Sequence, residues 1–430
     1  MSVMPTHHYP VIIIGGGQAG LSMSYCLKER GIDHLIFEKH RFAEAWRSKR
    51  WDNFCLVTPN WQCSLPGFKY SGDDPNGFMK KEEIVKYIED YVKLFNPPLR
   101  EGVSVERVRR HESGIYEIST SEGEFTAGQV VIATGGYHTA TVPRMAEKFP
   151  EDIVQMHSSD YKSSAALPEG AVLVVGTGQS GCQIAEDLHL EGRKVHLCVG
   201  GAPRTARRYR GKDVVDWLHE MGYYNLPVHE HPLKERVRAK ANHYVTGRDG
   251  GRDIDLRKFA LEGMQLHGRL LEMRQGRLKF GTDLKQNLDN ADNVADSIKN
   301  TIDKYIASRG IDVPQEERYV PVWEPPAESP DLDFAAAGIR SIIWSMGFQT
   351  DYRWLEIPVF DGKGYPSHQR GVTYVSGVYF LGLPWQHTWG SGRFSGVADD
   401  ARFLADCVEA RHNTTKSLAG RKLNELALGS

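Results

Sequence analysis

The sequence predicts an α/β chain of two parallel-sheet units, each a three-layer fold, and three observations carry that reading. An apolar run of buried-strand type leads twice into a GxGxxG turn that opens a helix, at 15–20 and at 176–181. A second strand follows each helix. Each unit then closes on another apolar strand that runs into a small-residue turn, ATGG at 133–136 and SMGF at 345–348. A chain of 430 residues also exceeds what one hydrophobic core organises.

In the first unit Val11-Ile12-Ile13-Ile14 is continuously apolar, as a parallel strand covered on both faces requires. Gly15, Gly17 and Gly20 follow, with Gln18 and Ala19 between the last two. That spacing suits a Rossmann-like dinucleotide site. The first glycine makes the tight turn, the second lets backbone approach a pyrophosphate, and the third lets helix and strand pack closely. The helix expected over 21–30 presents free N–H groups and its positive dipole end to the phosphates. The strand His34–Phe37 then delivers Glu38, with Lys39 beside it, to the place where a carboxylate accepts from a ribose 2′-OH. A glycine-rich turn that binds nothing is the alternative, and the unbroken order of strand, fingerprint, helix, strand and acid opposes it.

The second unit repeats the pattern. Val172–Val175 is the strand, Gly176-Thr177-Gly178-Gln179-Ser180-Gly181 the turn, 182–190 the helix and 194–199 the next strand. Val199 and Gly200 stand where the acid would be, and Arg204, Arg207, Arg208 and Arg210 follow. Without a carboxylate nothing repels a 2′-phosphate, and guanidinium groups bind phosphate bidentately. The site therefore reads as selective for NADP(H), against the alternative that these arginines form a solvated surface run.

The symmetry implies a discontinuous first domain, 1–165 plus 349–430, with the second inserted at 166–348 and carrying a helical insertion over about 282–330. Leu284, Leu288, Ala291, Ala295, Ile298, Ile302 and Tyr305 fall at helical spacing and predict one long amphipathic helix. Its stripe suits core packing or a subunit interface, such as that of a homodimer. A formal net charge of -2 gives no reason to expect nucleic acid as a partner. No run of 18 apolar residues is present, so no membrane span is expected. The entry from His7-His8 straight into a strand leaves no room for a signal peptide. Six scattered cysteines, with no CxxC, read as reduced thiols of a cytoplasmic protein and argue against a redox dithiol; no metal site is expected.

Along nearly its whole length the chain resembles the flavin-containing monooxygenases, including the plant indole-pyruvate monooxygenases, and most of all an uncharacterised bacterial subgroup of flavin-dependent oxidoreductases. The resemblance runs through GGGQAG at 15–20, Trp46-Arg47, the loop Leu56–Pro66, the helix Ile84–Tyr91 and ATG at 133–135. It continues through the second fingerprint, WSMGFQTDYRWL at 344–355, GVYFLGLP at 377–384 and GSGRFSGVADDARFLA at 390–405. The linker EDIVQMHSSDYK at 151–162 matches the group's FxGxxxHxxx(Y/F)(K/R) motif at His157, Tyr161 and Lys162. It departs from it at Glu151 and Ile153.

The resemblance implies FAD on the first fold. Trp46, Arg47, Val105, Ala133, Thr134, Gly135, Arg393 and Gly396 would join the fingerprint and Glu38 there. It implies NADPH on the second fold, with Met346 and Gly347 joining that fingerprint and Arg204, Arg207 and Arg208. It implies a small-molecule substrate, a nitrogen compound or a 2-oxo acid, oxygenated by O2 through a C4a-(hydro)peroxyflavin. The linker departures leave open an oxidase or dehydrogenase that inserts no oxygen. Candidate catalytic residues are Asn60, in the loop where the group carries an asparagine, His157, whose alternative is a hinge that orders the linker, and Trp389. Trp385, His387 and Trp389 are substrate candidates. Arg393 is expected to hold an anionic substrate group or, alternatively, to pair with Asp399 or Asp400. The helix expected over 398–404 would point its N-terminus at the flavin.

Overall fold

The computed structural model describes residues 7–326 and 330–428, with side chains described to residue 417. The first sheet grows from β1 (His7–Ile14), which the glycine turn joins to α1 (Gln18–Glu29) and then to β2 (His34–Glu38). β1 lies parallel between β2 and β3 (Gly123–Ile132). The far edge of β3 is shared. Its first half pairs antiparallel with the hairpin strand Tyr116–Thr120, and its second half pairs parallel with the late strand Val378–Phe380. The C-terminal segment thus returns to the first sheet. Alternate residues of β1 serve different cores. Val11 and Ile13 pack under α1, while Ile12 and Ile14 join Val130, Ile132 and Phe380 on the other face. Each such burial contributes roughly 1.5–3 kcal/mol.

The second sheet is wholly parallel. β4 (Val154–His157) lies at one edge, β5 (Ala171–Val175) in the centre with α2 (Gln179–Leu190) after it, then β6 (Val195–Cys198) and β7 (Gln265–His267). After α3 (Leu284–Arg309) the chain returns as β8 (Ile339–Trp344), which fits between β4 and β5. β4 precedes residue 165 in the chain and pairs within the second sheet. The linker is already part of the second sheet, because its backbone groups are satisfied by β8, from Val154 opposite Ser341 to His157 opposite Trp344.

Both fingerprint helices begin three residues before the expected start, at Gln18 and Gln179. Hydrophobic periodicity cannot register these first turns, because they consist of small and polar residues that leave their N–H groups to the turn. The two turns are built alike. Gly15 and Gly176 have φ of +111° and +105°, and a Cβ on either would lie 2.6 Å from the carbonyl oxygen of Ala133 or Ser345. A Cβ on Gly20 or Gly181 would lie 1.9 Å from the carbonyl oxygen of Gly15 or Gly176.

α3 buries Leu284, Leu288, Ala291, Ala295 and Ile302 within its own chain, and its distal half packs on Tyr209, Val214 and Trp217. Ile298 and Tyr305 join the same cluster. The expected stripe is therefore used inside the chain. The expected insertion is flanked by one small antiparallel sheet, Leu270–Arg274 and Arg277–Phe280 before it and Asp331–Asp333 after it, and its residues 327–329 lie outside the described residues. The last helix, α4, spans Val397–Leu428. Among the described residues no helix is long and apolar enough to cross a membrane.

Candidate functional site

A cleft of about 600 Å³ opens over the first glycine turn. Gly15, Gly17, Gln18 and Ala19 form its floor, Glu38 and Lys39 one end, and Val105, Ala133, Thr134 and Gly135 the wall. The Glu38 carboxylate is clamped by two backbone donors, Gly16 N–H at 2.7 Å and His40 N–H at 2.9 Å. Clamped this way it keeps lone pairs for ribose hydroxyls. Among the described residues the buried Thr134 hydroxyl and the His138 Nε2, both in the lining, meet no hydrogen-bond partner. Unsatisfied polar atoms are costly unless a ligand or water meets them, so a polar dinucleotide fits this cleft.

The remaining residues expected at the first cofactor sit elsewhere. Gly20 serves the helix–turn contact. Trp46 donates from Nε1 to Gln18 Oε1 at 3.1 Å and stacks on Phe394, so it braces the floor. Arg47 turns away to pair with Glu89 at 2.9 Å. Gly396 lies against the backbone of Gly390, where a Cβ would come within 2.6 Å of it. Gln18 also donates to Gly392 O at 3.0 Å, which ties the fingerprint to the late loop.

Over the second turn, Gly178 has open space where its side chain would be, and Ser180 is exposed. Gly200 N–H donates to Thr177 Oγ1 at 2.9 Å, while Gln179 Nε2 donates to Val245 O. The Ser345 hydroxyl beneath the turn is buried without a partner among the described residues. Met346 is exposed. The arginines part company here. Arg204 is 5% exposed, paired with Asp292 at 2.6 Å and stacked on Tyr319. Arg207 is 2% exposed, paired with Asp213 at 2.5 Å, and donates to Val57 O at 2.7 Å. Their charges are neutralised in the interior, so neither is free to meet a 2′-phosphate. Arg208 alone of the three is exposed, with a long contact to Gly250 O at 3.4 Å.

His157 is tied at both ring nitrogens. Its Nδ1 accepts from Ser159 N–H at 3.2 Å, and its Nε2 donates to Gly347 O at 3.0 Å. Burial holds its pKa below the usual imidazole range. Tyr161 OH donates to Asp187 Oδ2 on α2 at 2.7 Å, and Lys162 Nζ reaches Ser48 O in the first fold. Glu151 is exposed, Ile153 is buried, and Phe149 fills the apolar slot against Phe334 and Trp344. Asn60 is 4% exposed and spends its amide within its own loop, donating to Asp74 O at 2.9 Å and accepting from Met79 N–H at 2.7 Å. It serves the loop's shape.

A segment of the second fold closes over the late loop of the first. Val228 N–H donates to His387 O at 2.6 Å, and Arg238 Nε to Trp385 O at 3.1 Å. Trp385 is 5% exposed with φ of +52°, a conformation rare for a bulky residue, and meets His231 edge-on. Trp389 packs on Tyr224 with ring centroids 4.6 Å apart. His387 is half-buried, which lowers its pKa. Arg393 lies 4.1 Å over the Trp389 ring and donates to Asn242 Oδ1 at 3.0 Å. The carboxylates expected to compete for it are engaged elsewhere, Asp399 with Arg402 at 3.2 Å and Asp400 with Arg370 at 3.7 Å. Tyr224, Asn242 and His138 escaped the sequence reading, because no motif marks them and they reach the site only through long-range packing.

A family profile for pyridine nucleotide-disulphide oxidoreductases matches residues 12–246. An uncharacterised CzcO-like oxidoreductase of Geobacillus kaustophilus is 33% identical over 94% of this chain and 99% of its own length. The chain belongs to the pyridine nucleotide-disulphide oxidoreductase family. It is an oxidoreductase, and the full-length relatives that it matches are uncharacterised bacterial oxidoreductases. An indole-3-pyruvate monooxygenase of Arabidopsis thaliana, YUCCA6, is 33% identical over 46% of this chain and 49% of its own. Among solved structures, a flavin monooxygenase mutant from Stenotrophomonas maltophilia superposes with a TM-score of 0.64 at 18% identity. It covers 94% of this chain and 99% of that one. A bacillithiol disulfide reductase from Staphylococcus aureus reaches 0.60 at 15%, over 94% and 99%. All six cysteines here are free, and burial pushes the Cys63 thiol up to about 12.

Proposed function

We propose that the protein is an NADPH-dependent monooxygenase that inserts one atom of O2 into a small organic acid, the other atom leaving as water. Bound FAD supplies the electron-transfer and oxygen chemistry, and bound NADPH the hydride. The chain's own residues bind, orient and exclude water. Gly15, Gly17 and the N-terminus of α1 receive one pyrophosphate, and Glu38 the ribose beside it. Gly176, Gly178 and the N-terminus of α2 receive the other. Trp385 and Trp389, covered by the segment around Tyr224 and Val228, wall the late loop against solvent.

The observation that carries the acidic substrate is Arg393. It is fixed on an aromatic face and held by an amide oxygen, and no carboxylate of the described residues pairs with it. A guanidinium so placed favours an anionic group over an amine. The second reading, an oxidase or dehydrogenase without oxygen insertion, rests on the linker departures at Glu151 and Ile153. Phe149 weakens it, because it supplies an aromatic residue to the linker's apolar slot.

Turnover under oxygen-18 gas tests the activity, and one labelled atom is expected in the product. Unlabelled product with stoichiometric hydrogen peroxide would favour the oxidase. Arg393→Met is expected to raise KM for an acidic substrate on the order of ten- to a hundred-fold, as loss of a charge-assisted contact does. An unchanged KM would return Arg393 to a packing role.

A further inference from the structure

In a Rossmann-like fold the adenosine ribose lies at the tip of the strand that follows the fingerprint helix. Here that tip is Val199-Gly200-Gly201, just past β6, and it carries no carboxylate. It is locked to the fingerprint by the bond from Gly200 N–H to Thr177 Oγ1 at 2.9 Å. The strand beside it is β7, whose His267 O accepts from Val199 N–H at 2.8 Å. Two residues past β7 stands Arg269. A Cβ built on Gly201 would lie 3.3 Å from Arg269 Nη2, so the guanidinium rests directly over the ribose end of the tip.

Asp283 holds Arg269 in that pose. One carboxylate oxygen accepts from Arg269 N–H at 3.0 Å, and the other lies 3.4 Å from Nε. Neither terminal nitrogen bonds any described residue, and the side chain is 60% exposed. This is an arginine whose stem is fixed and whose fork is open. Arg204 and Arg207, closer in sequence, have their guanidinium groups buried against Asp292 and Asp213.

We propose that Arg269 reads the 2′-phosphate of NADPH, through paired donation from its two terminal nitrogens to phosphate oxygens. The proposal rests on the reading that the second fold binds NADPH. Gly201 is part of the device, since a side chain there would displace the guanidinium, and Asp283 positions it.

The test is calorimetric titration of the FAD-loaded full-length protein with 2′,5′-ADP and with 5′-AMP, which differ in the phosphate alone. Wild type is expected to bind 2′,5′-ADP the more tightly. Arg269→Ala is expected to lose on the order of ten- to a hundred-fold for 2′,5′-ADP while holding 5′-AMP within about two-fold. Arg269→Lys should fall between, because it keeps the charge and loses the fork. Equal loss for both nucleotides, or a preference that survives in Arg269→Ala, would overturn the assignment. A wild type that binds both nucleotides equally would overturn NADPH selectivity itself, and the assignment with it.

Discussion

Asp400 lies in the first turn of α4 at 2% exposure, and burial pushes its carboxyl up to about 6, against the opposing pull of Ser391 and Arg370. A carboxyl whose folded pKa is raised binds more protons folded than unfolded across the interval from its ordinary value of 3.8 up to about 6. Stability from this group is therefore complete at the acid end of that window and declines as pH rises through it. Asp400→Asn should remove the decline. Its urea-unfolding free energy should gain about 2 kcal/mol on wild type between pH 4 and pH 6.5. Parallel pH profiles would contradict the assigned burial. Gly20 invites a harsher substitution. Gly20→Ala puts a methyl 1.9 Å from the Gly15 carbonyl, so helix and turn must separate. The variant should lose at least about 1–3 kcal/mol and retain less FAD, read by flavin absorbance after gel filtration. Both glycines were legible in the sequence as members of a fingerprint. The burial of Asp400 was not, because it depends on Arg370 and Ser391 arriving from other segments.

Between β6 and β7, His196 Nδ1 and His267 Nε2 lie 3.0 Å apart with the rings stacked, and His267 stacks in turn on Phe280. Burial pushes both imidazoles down to about 4, and their mutual repulsion adds to the effect at His196. The sign is opposite to that of Asp400. Stability is complete above about 6.5 and is lost as pH falls toward 4, when the buried neutral rings must accept protons. Hydrogen-exchange protection over 195–199 and 265–267, taken relative to the intrinsic amide rate at each pH, should fall between pH 6.5 and 5, and His196→Leu should blunt the change. Equal pH dependence in wild type and variant would remove the pair from the account. The same two strands present Gly201 and Arg269, so acid loosening here would also weaken binding of 2′,5′-ADP. Element order was readable from apolar periodicity, and helix starts were not. The pairing of the linker strand β4 with β8 was unreadable too, since strand partners across such separations are chosen by tertiary packing.

Across the whole molecule the two folds are joined at Asp187. Its carboxylate accepts from Tyr161 of the linker at 2.7 Å and from Asn53 of the first fold at 2.9 Å, and pairs with Arg248 at 2.5 Å. Tyr161→Phe removes one donor from a buried charge and should cost about 1–3 kcal/mol in the unfolding free energy. Flavin content should be unchanged, and the rate of flavin reduction by NADPH under anaerobic stopped flow should fall. Loss of stability with an unaltered reduction rate would make Tyr161 a packing residue only.

The sequence by itself determined the architecture and the cofactor turns, because glycine at Gly15 and Gly176 answers a local backbone demand that no other residue meets. It also identified the linker residues His157 and Tyr161, though not their partners Gly347 and Asp187. Only the tertiary structure decided which charges are spent and which stay open. Arg204 and Arg207 stand beside the second tip in sequence and are neutralised by carboxylates from distant segments. Arg269 comes from the end of another strand and keeps its terminal nitrogens open although Asp283 pairs with its Nε, and Arg393, from the late loop, pairs with no described carboxylate. Proximity along the chain fixes backbone geometry, whereas the fate of a charge is fixed by whatever folds against it.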